Sequence, residues 1–175
     1  RQVEAGGRQT VFVAGPAGSG KSHLVAEVAR ALHAQDVAVL LGTCPSDLSA
    51  PYHPLVEALD HLLTSTPPGD LTPLIPDTVG ALRRLTPHLD RHRADLAEPA
   101  SQHEHRHELF AAYAALLDAV AGARGVVLVL EDVHWAATPT LLLLNHLIRS
   151  PSPARLLILA TMRDTAPDRS QELTS

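Results

Sequence analysis

Between a short apolar run and an amphipathic stretch the chain reads Gly15-Pro16-Ala17-Gly18-Ser19-Gly20-Lys21-Ser22. Every fixed position of the pattern G-x-x-x-x-G-K-[ST] is filled, and that pattern demands a strand before it and a helix after it. Both flanks comply. Thr10-Val11-Phe12-Val13-Ala14 reads as a short buried strand, and in residues 22–34 Leu24, Val25, Val28, Ala29 and Leu32 recur at helical spacing. Polyphosphate is costly to strip of water, so a binder must aim several donors at a small volume. Gly15, Gly18 and Gly20 are expected to take the positive φ that turns successive amides inward, and without a Cβ they let the backbone approach the anion. The helix adds its free N–H groups and positive dipole end. Lys21 is expected to reach the β and γ phosphates and Ser22 to ligate Mg²⁺. Residues 15–22, with Pro16, Ala17 and Ser19 among them, are thus the candidate binding segment for ATP or ADP.

With 175 residues, 45% of them hydrophobic, the chain suffices for one domain with a real core. A net charge of −5 without a large basic block gives no sign of a nucleic-acid surface. No apolar run reaches the length that spans a bilayer. Cys44 stands alone, which excludes an internal disulfide and fits a reducing cytoplasm, the expected location. The chain begins at Arg1, not Met, and reads as a fragment of a larger multidomain protein.

Residues 37–42 form a second apolar run, and a strand-helix-strand order points to an α/β fold, a parallel sheet with helices on both faces. Residues 45–100 read as a helical and loop insertion. Within it, residues 53–63 carry Leu55, Val56, Leu59, Leu62 and Leu63 at helical spacing, with Pro54 in the first turn. Pro67, Pro68, Pro73 and Pro76 then make residues 64–77 either a surface excursion or a flexible connector, ahead of a short helix over 78–85. Residues 101–121 give the longest helical pattern, opened by a capping box of Ser101 and Glu104 and striped by Leu109, Phe110, Tyr113, Leu116, Leu117 and Val120. His103 and His107 share a face there, but two imidazoles lack the further ligands of a stable metal site, and a solvated first turn is the better reading.

Val126-Val127-Leu128-Val129-Leu130 is the kind of run that parallel sheets bury on both faces, and it ends in Glu131-Asp132. Ligands of α/β sheets collect at the carboxyl ends of strands. One carboxylate would hold the magnesium shell and the other could orient the attacking water, since phosphoryl transfer mainly needs positioning and charge stabilisation. Residues 138–150 read as a helix with Thr138 as N-cap and Pro139 first inside it. A last apolar strand over 155–161 ends at Met162-Arg163-Asp164. Arg163 could sense the γ-phosphate, pair with Asp132, or open the next loop in solvent.

With Glu131-Asp132-Val133-His134-Trp135 placed, the chain resembles the nucleotide-binding domain of the signal-transducing, AAA-related (STAND) P-loop ATPases. These are found in large ATP-binding LuxR-type transcriptional regulators and beside some class III nucleotide cyclases. The shared features are GPAGSGKS at 15–22, Arg106-x-x-Leu109-Phe110, LVLEDVHW at 128–135 and the strand end Thr161-Met162-Arg163. The resemblance implies a three-layer P-loop NTPase core, truncated here before its fifth strand, so that the P-loop strand becomes an edge open to self-association. It also implies Glu131 near Mg²⁺, Asp132 acting on the water, and Arg163 reading the nucleotide. Trp135 either packs or contacts nucleotide, and His134 is a family marker that buttresses the site.

Two departures stand out: Ala137 occupies a position where the family usually carries Asp, and the usual Gly-Arg-Glu opening and downstream winged-helix region are absent. The implied function is a slowly hydrolysing ATP-dependent switch, with ATP and the absent flanking domains as partners. The alternatives are a small-acceptor kinase, whose lid would draw on Arg83, Arg84, Arg91 and Arg93, and a nucleotide-binding scaffold without turnover. No Asn-Lys-x-Asp segment supports a GTPase.

Overall fold

A computed structural model describes residues 7–47, 50–96, 105–152 and 154–164. Strand β1 (Arg8–Gly15) leads through the glycine loop into α1 (Lys21–His33), followed by β2 (Ala38–Thr43) and α2 (His53–Ser65). Two one-turn helices, α3 (Pro68–Leu71) and α4 (Asp90–Arg93), alternate with 3₁₀ turns before α5 (His105–Ala121). Strand β3 (Val126–Glu131), α6 (Thr138–Arg149) and β4 (Leu156–Arg163) close the order. All strand pairings are parallel and the sheet order is β1-β4-β3-β2. The α/β reading, a parallel sheet between helical layers, is what the chain adopts. Among the described residues no helix is long and apolar enough to cross a membrane.

The two faces of the sheet are unequal. Alternation sends Val127, Val129 and Leu159 toward α1, where they form a small cluster with Val25. Leu128, Leu130, Ile158 and Ala160 face the other way, into a large core shared with α2, α5 and α6. β3 lies between β2 and β4, so its residues 126–130 are all buried. Helix α2 comes so close to β2 that a Cβ on Gly42 would sit 1.8 Å from the Pro54 carbonyl oxygen, so glycine is required there.

Several expectations need correction. Among the described residues β1 pairs on one side only, and Val11 and Phe12 are 42% and 52% exposed, so this strand is not buried there. In α1 only Val25 is buried; Leu24 and Val28 of the expected stripe are exposed, because one sheet face cannot cover so wide a stripe. The proline-rich stretch runs mainly over the surface, as an excursion would, but it is anchored and not a flexible connector: α3 and the 3₁₀ turn after it bury Leu71 and Ile75 in the main core. The short helix expected over 78–85 is a 3₁₀ helix, Asp77–Arg84. Ala137, not Thr138, is the N-cap of α6, with Thr138 already helical. The Ser101–Glu104 capping box and His103 lie outside the described residues. His107 is exposed, and no metal-holding cluster of three or more ligands occurs among the described residues.

β1 thus presents an open ladder edge with Phe12 and Val11 beside it, a template for another strand. The 175-residue chain should therefore associate in a concentration-dependent way, and Phe12→Lys should weaken that association. Light scattering that finds the unchanged chain monomeric at every concentration would show the edge to be protected.

Candidate functional site

Because all the strands run the same way, their carboxyl ends share one edge of the sheet. There Gly15 lies opposite Arg163 in the β1–β4 register, and Thr43 opposite Glu131 in the β2–β3 register. The glycine loop leaves β1 at this edge. Gly18 and Gly20 hold φ of 75° and 83°, left-handed values that only glycine takes without strain, and Gly20 is the N-cap of α1. Gly15, against expectation, is not at positive φ; it matters for proximity, since a Cβ there would stand 3.0 Å from Ser19 Oγ.

The Pro16 carbonyl is the hub of the loop. It accepts hydrogen bonds from Ser19 N–H at 3.3 Å, Ser19 Oγ at 2.9 Å and Lys21 Nζ at 2.8 Å. Lys21 Nζ also donates to the Gly15 carbonyl at 3.0 Å, which keeps the ammonium at the mouth of the loop. Leu24 N–H bonds to Gly20 O at 2.9 Å, as in a regular first helical turn. The N–H groups of Lys21, Ser22 and His23 precede it and have no intrahelical acceptor, so they point outward as donors.

A cleft of about 330 Å³ opens over this turn. Ala17, Gly18, Gly20, Lys21 and Ser22 line it from the loop side, with His23 from α1; Asp132 and Arg163 close it from the tips of β3 and β4. Gly15, Pro16 and Ser19 line an adjoining hollow behind the loop. The structure therefore brings together Lys21, Ser22, Asp132 and Arg163. Glu131 lines neither space; it ends β3 half-buried, its carbonyl accepting Cys44 N–H at 2.9 Å.

Asp132 reaches the cleft through a left-handed backbone, φ 54° and ψ 46°, a conformation that Asp tolerates better than most residues. Two hydrogen bonds hold that turn: Asp132 N–H donates to the buried Thr161 Oγ1 at 2.9 Å, and the Asp132 carbonyl accepts Trp135 N–H at 2.9 Å. Arg163 forms no ion pair with Asp132 among the described residues; its backbone N–H donates to His134 Nδ1 at 3.4 Å. Trp135 is exposed and tilted against His134, so it is not a core residue. Arg83 and Arg93, two of the four arginines that could form a lid, are engaged within residues 77–96, with Asp90 and the Leu96 carbonyl and with Asp77 and Asp95. None of the four lines the cleft.

Sequence reasoning missed His23 and Glu57. His23 follows Ser22 in the first helical turn, so its adjacency was a usable signal. Glu57 accepts the Thr43 N–H at 2.7 Å from α2, a placement that depends on tertiary docking. Burial first, then the Asp132 and Glu57 carboxylates, pushes the Cys44 thiol up to about 11. That leaves it protonated and inert at neutral pH. A larger cavity, about 520 Å³, lies at the opposite end of the sheet among Val28, Leu32, Val37, Val127 and Leu157. Its lining is mainly apolar, and its arginines are engaged at the rim, Arg124 with Asp36 and Arg155 with the Ala123 carbonyl, so it lacks the convergent donors of the P-loop cleft.

The family model for the AAA ATPase domain matches residues 1–159. The chain belongs to the AAA ATPase domain family. No curated protein matches it. As an AAA ATPase domain it is a nucleotide-binding module, and the cleft fits that chemistry: outward N–H donors, two left-handed glycines, an ammonium and a guanidinium. Magnesium in this AAA domain would be held through nucleotide phosphates and the Ser22 hydroxyl, the kind of partly hydrated shell this ion takes. Lys21→Ala removes a charge-assisted contact worth about 1.5–3 kcal/mol and should weaken ATP binding at least tenfold. Calorimetry checks this; a folded variant with unchanged affinity would remove Lys21 from the site.

Proposed function

We propose that this AAA ATPase domain is a slowly hydrolysing, ATP-dependent regulatory switch of the STAND kind, as in LuxR-type transcriptional regulators and cyclase-associated ATPases. Mg·ATP binds, hydrolysis resets the domain, and the presence of the γ-phosphate changes how the core packs on neighbouring domains. The observation that carries this reading is the convergence of Lys21, Asp132 and Arg163 on one cleft, from the start of α1 and from the tips of β3 and β4. Lys21 and the loop amides bind the phosphates, Asp132 orients water, and Arg163 reads the γ-phosphate. Ser22 would hold the metal together with the phosphates, and Glu131 would stand near it and supply negative charge. The kinase alternative finds no support in the placement of its arginines.

Ala137, where the resembled family usually carries Asp, speaks for a scaffold without turnover. Position 137 is the N-cap of α6, has no side-chain cap hydrogen bond, and does not line the cleft. An Asp there would cap a helix. Ala137→Asp should accordingly raise stability by about 0.5–2 kcal/mol, read from denaturant midpoints, and leave phosphate release unchanged. A large gain in turnover would assign position 137 to the chemistry instead.

The two carboxylates should separate in their effects. Asp132→Asn is expected to keep nucleotide bound while cutting phosphate release by about a hundredfold, in the range of a lost general base. Glu131→Gln should mainly shift the magnesium concentration needed. Equal losses of binding in both variants would overturn this division, and no phosphate release from the unchanged chain would favour the scaffold.

A further inference from the structure

His134 touches both strand tips of the cleft. It sits on the 3₁₀ turn Val133–Trp135 that follows Asp132, with its side chain only 14% exposed. Its Nδ1 accepts the Arg163 backbone N–H at 3.4 Å and stands 3.9 Å from Asp132 Oδ1. One nitrogen therefore faces two rivals of opposite demand: the N–H needs a lone pair, the carboxylate needs a proton. Ordinarily the second ring nitrogen fixes the tautomer through its own hydrogen bond. Here Nε2 is buried with no partner among the described residues, so nothing on that side decides.

We propose that His134 is a positioning residue that couples Asp132 to Arg163 by exchanging tautomers. This rests on the reading of the cleft as an ATP site in which Arg163 senses the γ-phosphate. With the proton on Nε2, Nδ1 holds the Arg163 N–H and fixes the tip of β4. When the ring swings open to solvent, Nε2 gives its proton to water and Nδ1 takes one from water, so net charge is unchanged; the ring then donates to Asp132 once the 3.9 Å gap closes, and Arg163 N–H loses its acceptor. A ligand that draws the Asp132 carboxylate into the cleft removes the rival acceptor and favours the first arrangement. Occupancy beside Asp132 is thereby transmitted to the residue that reads the terminal phosphate.

The test compares affinities for ADP and a non-hydrolysable ATP analogue, both with Mg²⁺, in the whole chain. His134→Asn keeps an acceptor where Nδ1 stands and should preserve the preference for the ATP analogue. His134→Leu removes it and should reduce that preference about fivefold or more, the lower end of ordinary coupling between sites, while ADP affinity stays within about twofold. Adding His134→Leu to Arg163→Ala should cost nothing further, since the effect runs through Arg163. An unchanged preference in His134→Leu, equal loss of both nucleotides in both variants, or full additivity with Arg163→Ala would overturn the proposal. If the unchanged chain binds neither nucleotide, the ATP-site reading itself fails. Should His134→Leu not fold, ¹⁵N shifts of the His134 ring in the unchanged chain decide: the tautomer ratio must move when the ATP analogue binds, and a constant ratio overturns the coupling.

Discussion

The parallel pairing of β4 with β1 on one side and β3 on the other is the constraint on which the site depends. Gly15, Asp132 and Arg163 are far apart in sequence and meet only because their strands end in the same direction. Reversing any one strand would carry its tip to the far end of the sheet, roughly 20 Å away for six residues at about 3.3 Å each. The pairing also supplies Thr161, buried in β4, whose hydroxyl accepts the Asp132 N–H. A polar side chain in a strand whose other buried positions are leucine, isoleucine and alanine is tolerated because that bond satisfies it. Together with the Trp135 N–H bond to the Asp132 carbonyl, it holds Asp132 in the left-handed turn that brings it to the cleft.

The short elements between α2 and α5, described over residues 66–96, contribute by fixing α2. These 3₁₀ turns and one-turn helices have little helical stability of their own, so packing and side-chain anchors must replace it. Leu71, Ile75, Val79, Leu82 and Leu89 are buried there, and His92 Nε2 meets the Leu63 carbonyl at 2.7 Å. Arg93 bonds to the Ile75 carbonyl at 2.7 Å and to the exposed carboxylates of Asp77 and Asp95, whose ion pairs count for little beyond orientation in water. Thr86, fully buried, donates to Asp60 of α2. Fixed in this way, α2 lies against Gly42 and delivers Glu57 to the edge of β2 beside Cys44.

How much of this was legible follows from the range of each interaction. The glycine loop, β3 and the apolar stripe of α5 were readable because the residues that specify them are neighbours in sequence. Gly15 was misread because conformational freedom and close approach both select glycine, and only coordinates separate them. Val11 and Phe12 look like core residues in sequence, yet burial of a strand depends on its neighbours, and β1 has one among the described residues. The acidic pair was found as a pair. Which member faces the phosphate loop was not, since it turns on the left-handed backbone at Asp132 and the hydroxyl of Thr161, 29 residues away. The 3₁₀ character of residues 77–84 escaped for a similar reason: hydrophobic spacing over eight residues does not distinguish the two helices.

The charge balance of the cleft bears on how an acidic chain attracts a polyanion. The net charge of −5 repels ATP at long range, but beyond about 8 Å that repulsion is largely screened at physiological salt. At close range Lys21, Arg163 and the amides at the start of α1 act together against the single carboxylate of Asp132 among the lining residues. Lys21 is already oriented by two carbonyls, so meeting phosphate exchanges hydrogen bonds to neutral oxygens for stronger ones to charged oxygens, with little further loss of side-chain freedom. Among the described lining residues Asp132 alone opposes the anion, and on the function proposed above a water between the two would turn that opposition into a means of orientation. On that proposal the carboxylate that costs binding energy is the lining group that would position the attacking water, while the cations would set where the phosphate lies.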